Sequence, residues 1–374
     1  MPIDLTLFAT AMALVVLGLW MVLDASYVKT LDNPKIGFDA FYYVKRQAIG
    51  AGVGLFALFV LMWVGWWNLR RCAVVGMVVG LVLLCAVKIP HIGVINNGAA
   101  RWVKLGPIGF QPSELAKVLL VLYIAAVLSR PHCDARKPGA EGLLPALIVS
   151  GLTLLLIERE PDLGTAIVLF LAVLTQLYLA GARTLHLGTI CGCTALVILL
   201  IGFGGHGLGH RQNRIISFLH PEQDKKGLGF QVYHSRLAIG SGQWIGEGMG
   251  RGREKYYLPQ GNSDFIFATY AEETGLLGCL VLIGLMGLVG WRGFRIAAAT
   301  QDRFGMLLAA GIASVISWQA LINMAVATGS IPATGVPLPF ISDGSTSLVL
   351  LLAGVGILLS IAQHPIPPTA MLEK

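Results

Sequence analysis

Leu348–Ile361 reads LVLLLAGVGILLSI, and Ala73–Ala86 reads AVVGMVVGLVLLCA. Neither run alternates between apolar and polar residues, so neither reads as a strand of a transmembrane barrel, whose segments of about ten residues change face at every step. Both are continuous hydrocarbon with glycine interspersed. In lipid the backbone N–H and C=O groups must find partners within the segment itself, which makes such runs α-helices.

Similar runs recur along the whole chain. Ten spans are expected, at Leu5–Leu23, Ala48–Trp66, Ala73–Val87, Pro112–Leu128, Leu143–Ile157, Thr165–Ala180, Leu187–Phe203, Thr274–Trp291, Met306–Ala327 and Ser347–Ala362. A helix of about 20 residues crosses a bilayer, and the third and fifth runs fall short of that. The first run follows Met-Pro-Ile-Asp without a basic leader and is read as a retained helix. The fold class is therefore an all-α polytopic membrane protein, one membrane domain over residues 1–374. Its single long polar segment, residues 204–273, lies between the seventh and eighth spans. Within it, Phe230–Ile239 has helical spacing and reads either as an interfacial helix or as a partly buried one.

Composition agrees. Of 374 residues, 55% are hydrophobic and 13% charged, where soluble domains carry about 25% charged residues. The net charge of +7 points to anionic lipid or phosphate; with no basic module interleaved with aromatics, nucleic acid is set aside. The six cysteines lie in or beside apolar runs or in a short loop. They suit packing better than a disulfide framework, and Cys191-x-Cys193 lacks neighbouring ligands for a metal. Ten spans put both termini on one side. Arg70, Arg71, Arg130, Arg136, Lys137, Arg183, Arg292, Arg295 and Arg303 favour termini inside, whereas Lys29, Lys35, Lys45 and Arg46 in the first outer loop oppose it.

Three polar stretches stand at span ends. NGAARWVKLGPIGFQPSELAK, Asn97–Lys117, places Glu114 and Lys117 three residues apart on one helix face, behind Arg101 and Lys104. It reads as an interfacial anchor or a binding surface. EREPDLGT, Glu158–Thr165, carries four charges in a turn where Asp162 is placed to cap the next helix. LPQGNSDFIFATYAEETG, Leu258–Gly275, follows the cations Arg211, Arg214, Lys225, Lys226, Arg236, Arg251, Arg253 and Lys255. There a carboxylate among cations is either a general base facing an anionic leaving group or, as Ser263/Asp264, the N-cap of a helix.

At these residues the chain resembles the SEDS family (shape, elongation, division and sporulation), which includes FtsW, RodA and SpoVE. The resemblance rests on Lys45-Arg46-Gln47, NGAARW with QPSELAK, PDLGT at Pro161–Thr165, RIISFLHP at Arg214–Pro221, YLPQGNSDFIFATYAEETG, and IPATGVPLPFISDGSTS at Ile331–Ser347. It implies a ten-helix bundle in the bacterial cytoplasmic membrane, with cytoplasmic termini and an active site on the outer face. The implied activity is a glycosyltransferase that polymerises lipid II into peptidoglycan strands, beside a class B penicillin-binding protein as transpeptidase partner. Asp264 matches the family's essential aspartate and is the implied general base. Arg46, Arg101 and Lys117 match basic positions that bind the diphosphate; Glu114, Asp162 and Ser342 match polar positions lining the same cavity. No cofactor is required by any motif, and assistance by a divalent cation stays open. Ala100, Asp24, Ser263, Asp343, Ser345 and Thr346 depart from the common pattern. Two alternatives are weighed against polymerisation: a lipid II flippase and a non-catalytic scaffold that recruits the transpeptidase.

Overall fold

The computed structural model describes residues 3–31, 38–89, 93–96, 99–105, 108–139, 141–204, 227–258 and 261–366. Its α-helices are α1 (Leu5–Leu31), α2 (Tyr42–Val64), α3 (Trp66–Ala86), α4 (Pro112–Leu128), α5 (Leu144–Glu158), α6 (Leu163–Leu179), α7 (Thr184–Gly204), α8 (Leu228–Ser241), α9 (Ile266–Ala299), α10 (Arg303–Ala327) and α11 (Ser345–Gln363). Each of them except α8 overlaps one of the expected spans, with ends that differ by up to eight residues. By length and composition, α1, α2, α3, α9, α10 and α11 are long and apolar enough to cross a membrane; α5 and α6 are shorter apolar helices.

Burial separates the centre of the bundle from its rim. In α10 and α11, 78% of the most apolar window is buried, against 28% in α2 and 22% in α3. The rim helices turn Ile49, Phe56, Trp63, Val75 and Val82 outward, as lipid-facing helices do. Helix α10 reaches the centre because its middle is small: Ala309, Ala310, Gly311 and Ala313 let neighbours approach closely. A Cβ on Gly311 would stand 2.5 Å from Val121 of α4.

One end of the bundle is tied by Arg292 Nε to Asp4 (3.0 Å), Trp66 Nε1 to the His364 carbonyl (2.9 Å) and Arg303 Nη2 to the Ala180 carbonyl (3.1 Å). The opposite end carries Arg46, Arg101, Glu114, Lys117, Asp162, Asp264 and Ser342. There the all-α reading needs one amendment. A three-stranded antiparallel sheet, β1 (Gly93–Asn96), β2 (Ala99–Leu105) and β3 (Ile108–Phe110), lies between α3 and α4. Asn97-Gly98, a strong two-residue hairpin signal, falls between the first two strands. Thr346 Oγ1 donates to the Gly109 carbonyl (3.1 Å), joining the sheet to the start of α11.

Of the long segment, residues 205–226 lie outside the described residues, and with them RIISFLHP, Arg211, Arg214, Lys225 and Lys226. Helix α8 docks on the end of α10: Val232, Ser235 and Ala238 are buried at helical spacing, and Ser235 Oγ donates to the Ala327 carbonyl (2.6 Å). The last residues of the segment, 266–273, already form the start of α9, and α9 is broken at Gly275, whose φ is +65°. The amides after the break are capped from outside, Leu276 N–H by the Gln243 carbonyl (2.8 Å) and Leu277 N–H by the Trp244 carbonyl (3.2 Å). Only glycine fits, because a Cβ there would lie 2.4 Å from the Gly246 nitrogen.

Candidate active site

The site is organised by the irregular stretch between α10 and α11, residues 328–344. Pro332, Pro337 and Pro339 keep it from being helical. Val336, Leu338 and Phe340, at alternate positions, are buried, so this connection runs through the protein rather than over its surface. Buried backbone polar groups need partners. The prolines reduce the demand, since each lacks an N–H. The carbonyls that remain are served by side chains: Val336 O by Asn323 Nδ2 (2.7 Å), Pro337 O by Gln319 Nε2 (3.0 Å) and Ser342 O by Gln47 Nε2 (3.0 Å). Gln47 Oε1 also accepts from the Gly344 amide (3.1 Å), and Ser342 Oγ from the Leu338 amide (2.7 Å). Phe340 sits at φ +63°, and Gly18 of α1 leaves the room its carbonyl needs.

Against this stretch lies the strip that leads to Asp264. Its successive carbonyls are each held from across the site: Asn262 O by the Asp343 amide (3.0 Å), Ser263 O by Ser342 Oγ (2.6 Å) and Asp264 O by Asn323 Nδ2 (2.9 Å). The half-buried Asp264 carboxylate faces Gly335, where a Cβ would stand 3.6 Å from Oδ2. The helix-cap reading of Ser263/Asp264 is corrected here. The N-cap of α9 is Phe265 and carries no side-chain cap; Asp264 stands outside the helix with its backbone anchored.

The expected cations divide by setting. Lys117 is buried, bonded to Glu114 (2.8 Å) and to Gln319 Oε1 (2.7 Å). A pair so deep persists only with both charges and their hydrogen bonds matched. Arg101 of β2 donates from Nε to the Glu160 carbonyl (3.0 Å) and from Nη2 to the Pro161 carbonyl, clamping the α5–α6 turn. In that turn Asp162 caps α6 by accepting from the Thr165 amide (3.2 Å). Burial pushes the Asp162 carboxyl above its ordinary range, with Arg101 opposing. Glu160 is buried with both carboxylate oxygens unpartnered, and burial together with Asp162 pushes it up to about 8, against Lys88 and Arg101. Arg46 remains half-buried, near Gly109 and Asp343. Burial pushes Asp343 up to about 6, while Arg46 and a bond from Asn262 Nδ2 (3.3 Å) pull it down.

The 328–344 stretch thus connects the predicted residues. Ser342 belongs to it, Asp264 faces it, and Lys117 reaches it through Gln319. Asp162 adjoins it through Gly164, where a Cβ would meet Val336 at 2.4 Å. A narrow apolar crevice between α4, α10 and α11 has Glu114 and Lys117 in its wall. Among the described residues, no group of three His, Cys, Asp or Glu side chains is placed to hold a metal ion.

Sequence reasoning missed Gln319, Asn323 and the role of Gln47. A Gln and an Asn at i, i+4 in an otherwise apolar helix is the signal that was there to find. It also missed the buried triad in which Lys255 Nζ bonds Asp24 (2.7 Å) and Glu273 (2.8 Å). Glu272, beside it, accepts from the Arg253 (2.6 Å) and Glu254 (3.1 Å) amides. Glu272 and Glu273 therefore support the polar segment.

A family described as "Cell cycle protein", that of FtsW, RodA and SpoVE, matches residues 4–365. The chain is 38% identical to stage V sporulation protein E of Bacillus subtilis, over 96% of this chain and 97% of that one. It is 39% identical to the protein named "Probable peptidoglycan glycosyltransferase FtsW" of Trichlorobacter lovleyi, over 96% and 93%. Among solved structures, a chain of a peptidoglycan synthase complex that coordinates polymerization and crosslinking superposes with a TM-score of 0.78 at 28% identity, covering 98% of this chain and 99% of that one. The rod shape determining protein RodA of Thermus thermophilus superposes at 0.71, also at 28% identity, with 98% and 99% covered.

Proposed function

Because the chain belongs to the family of FtsW, RodA and SpoVE cell cycle proteins, we propose that it is a peptidoglycan glycosyltransferase that polymerises lipid II. It sits in the cytoplasmic membrane with both termini inside and the Asp264 end of the bundle outside. Asp264 takes the proton from the 4-hydroxyl of the acceptor sugar as that oxygen attacks the anomeric carbon of the donor. The bond from that carbon to undecaprenyl diphosphate breaks, the diphosphate leaves with the bonding pair, and configuration inverts.

The observation that carries this reading is the anchoring of Asp264. Three consecutive carbonyls of its strip are held by Asp343, Ser342 and Asn323, and Asp264 stands one residue before the N-cap of α9. A base must be held in place to act, and this one is held through its backbone. Of the three matched cations, Arg46, half-buried beside Asp343, meets the diphosphate directly in this reading. Arg101, bonded to backbone carbonyls, supplies a fixed positive charge from behind, and Lys117 with Glu114 a fixed dipole. Glu114, Asp162 and Ser342 set those groups and the strip in place. The partner is a class B penicillin-binding protein whose transpeptidase crosslinks the new strand; the synthase complex among the structural neighbours supports that pairing.

Asp264→Asn, assayed on purified lipid II with the transpeptidase present, should lose at least the ~10²–10⁴-fold that a general base supplies while the protein stays folded. Unchanged polymerisation would sink the assignment. Lipid II translocation in proteoliposomes without any glycan product would favour a flippase, to which the apolar crevice beside Lys117 would then belong. Wall synthesis that survives Asp264→Asn but not loss of transpeptidase binding would make the chain a scaffold.

A further inference from the structure

Gln319 and Asn323 of α10 are four residues apart, so one stands above the other on a single helix face. Both are fully buried, in a helix otherwise built for close apolar packing. Asn323 uses one nitrogen for two tasks, donating to the carbonyl of Asp264 (2.9 Å) and to that of Val336 (2.7 Å). It therefore holds the backbone of Asp264 and also the stretch whose Gly335 faces the Asp264 carboxylate. Gln319 continues the line. Its Nε2 donates to Pro337 O (3.0 Å), next to Val336, and its Oε1 accepts from Lys117 Nζ (2.7 Å). Lys117 is in turn paired with Glu114 (2.8 Å).

A run of direct bonds thus leads from the Glu114–Lys117 pair through two amides of one rigid helix to Asp264. Buried amides are costly unless bonded, and all four bonds these two make are to the Asp264 backbone, to the stretch that Asp264 faces, or to Lys117. Helix α10 is the element on which base and cation share a common reference.

We propose that Asn323 and Gln319 are positioning residues that set the Asp264 carboxylate at a fixed place relative to the Glu114–Lys117 pair, so that the proton leaves the acceptor hydroxyl in the geometry of its attack on the donor. The proposal rests on the reading of Asp264 as the general base. Positioning acts on the reacting geometry, so its loss falls on turnover; a residue that merely stabilises the fold lowers the fraction of protein able to bind at all.

The test uses the full chain with its transpeptidase partner and varied lipid II. Asn323→Leu, similar in size, removes both bonds to the site. It should lower kcat by about 100-fold, the scale set by misplacing a reacting group by about 1 Å. KM for lipid II should stay within about threefold and the stoichiometry of labelled lipid II binding should be unchanged. Gln319→Leu, which leaves Lys117 paired with Glu114, should lower kcat by about tenfold with the same pattern. A kcat within twofold of the native protein, or a loss that follows binding stoichiometry, would overturn the proposal. If Asn323→Leu does not fold, Gln319→Leu decides by the same criteria. Asp264→Asn run beside them separates the layers. If it still polymerises, the base assignment has failed; if it is dead while both leucine variants turn over normally, only the positioning proposal has.

Discussion

Replacing Glu160 by Gln should stabilise this protein, and only above acidic pH. The carboxyl is 1% exposed and neither oxygen has a partner. Burial and the neighbouring Asp162 raise it from 4.5 to about 8. The folded state therefore holds a proton that the unfolded chain releases from about pH 4.5 upward. Stability from this group is fully present below pH 4.5 and is lost as pH rises through about 8. At about 1.4 kcal/mol per pH unit, the whole interval amounts to about 5 kcal/mol, of which about 3 kcal/mol is already lost at pH 7. Gln keeps the shape of the neutral acid and has no proton to lose. Unfolding of purified protein in mixed micelles should find the two proteins within about 1 kcal/mol at pH 4.5, with Glu160→Gln ahead by about 3 kcal/mol at pH 7. A difference that does not change with pH would refute the reasoning, as would a Gln variant less stable than the native chain at pH 8.

Two further expectations follow from buried charge. Asp343, pushed up to about 6, is ionised above that pH and neutralises Arg46 there. On going from pH 7.5 to 5.5 the carboxyl takes up its proton and frees the cation, so KM for lipid II should fall; Asp343→Asn should show the low KM throughout, and steady-state kinetics at the two pH values checks this. Lys255→Met should destabilise by about 3–5 kcal/mol, because it strands Asp24 and Glu273 without their shared cation. Burial alone would lower the Lys255 pKa, yet its bonds to those two carboxylates raise it above the ordinary range, and the same micelle unfolding measures their loss.

Much of the architecture was legible because a bilayer imposes a local rule. A span must be apolar and must satisfy its own backbone, so runs such as Leu348–Ile361 announce helices without knowledge of their neighbours. The sheet at Gly93–Phe110 was less legible. Its strands are short, and the residues around Trp102 suit an interfacial loop as well as a strand. Helix α8 was found, but whether it packed or lay exposed depended on a surface, the end of α10, that no local pattern contains.

The candidate site divides in the same way. Asp264, Arg46, Arg101, Glu114, Lys117, Asp162 and Ser342 were picked out by polar residues at span ends and by matching motifs, both properties of the chain read in order. Their grouping around residues 328–344 was decided in three dimensions. Lys117 meets Gln319 across 202 positions of sequence, and Gln47 meets Ser342 across 295. Sequence by itself determined which segments enter the membrane and which charges stand at their ends, because transfer into lipid is a cost each segment bears alone. Only the tertiary structure decided that Asp264 is an anchored carboxylate rather than a helix cap. That depends on which carbonyls lie within hydrogen-bond reach of Asn323, Ser342 and Asp343, and hydrogen bonds act over about 3 Å, whatever the distance along the chain.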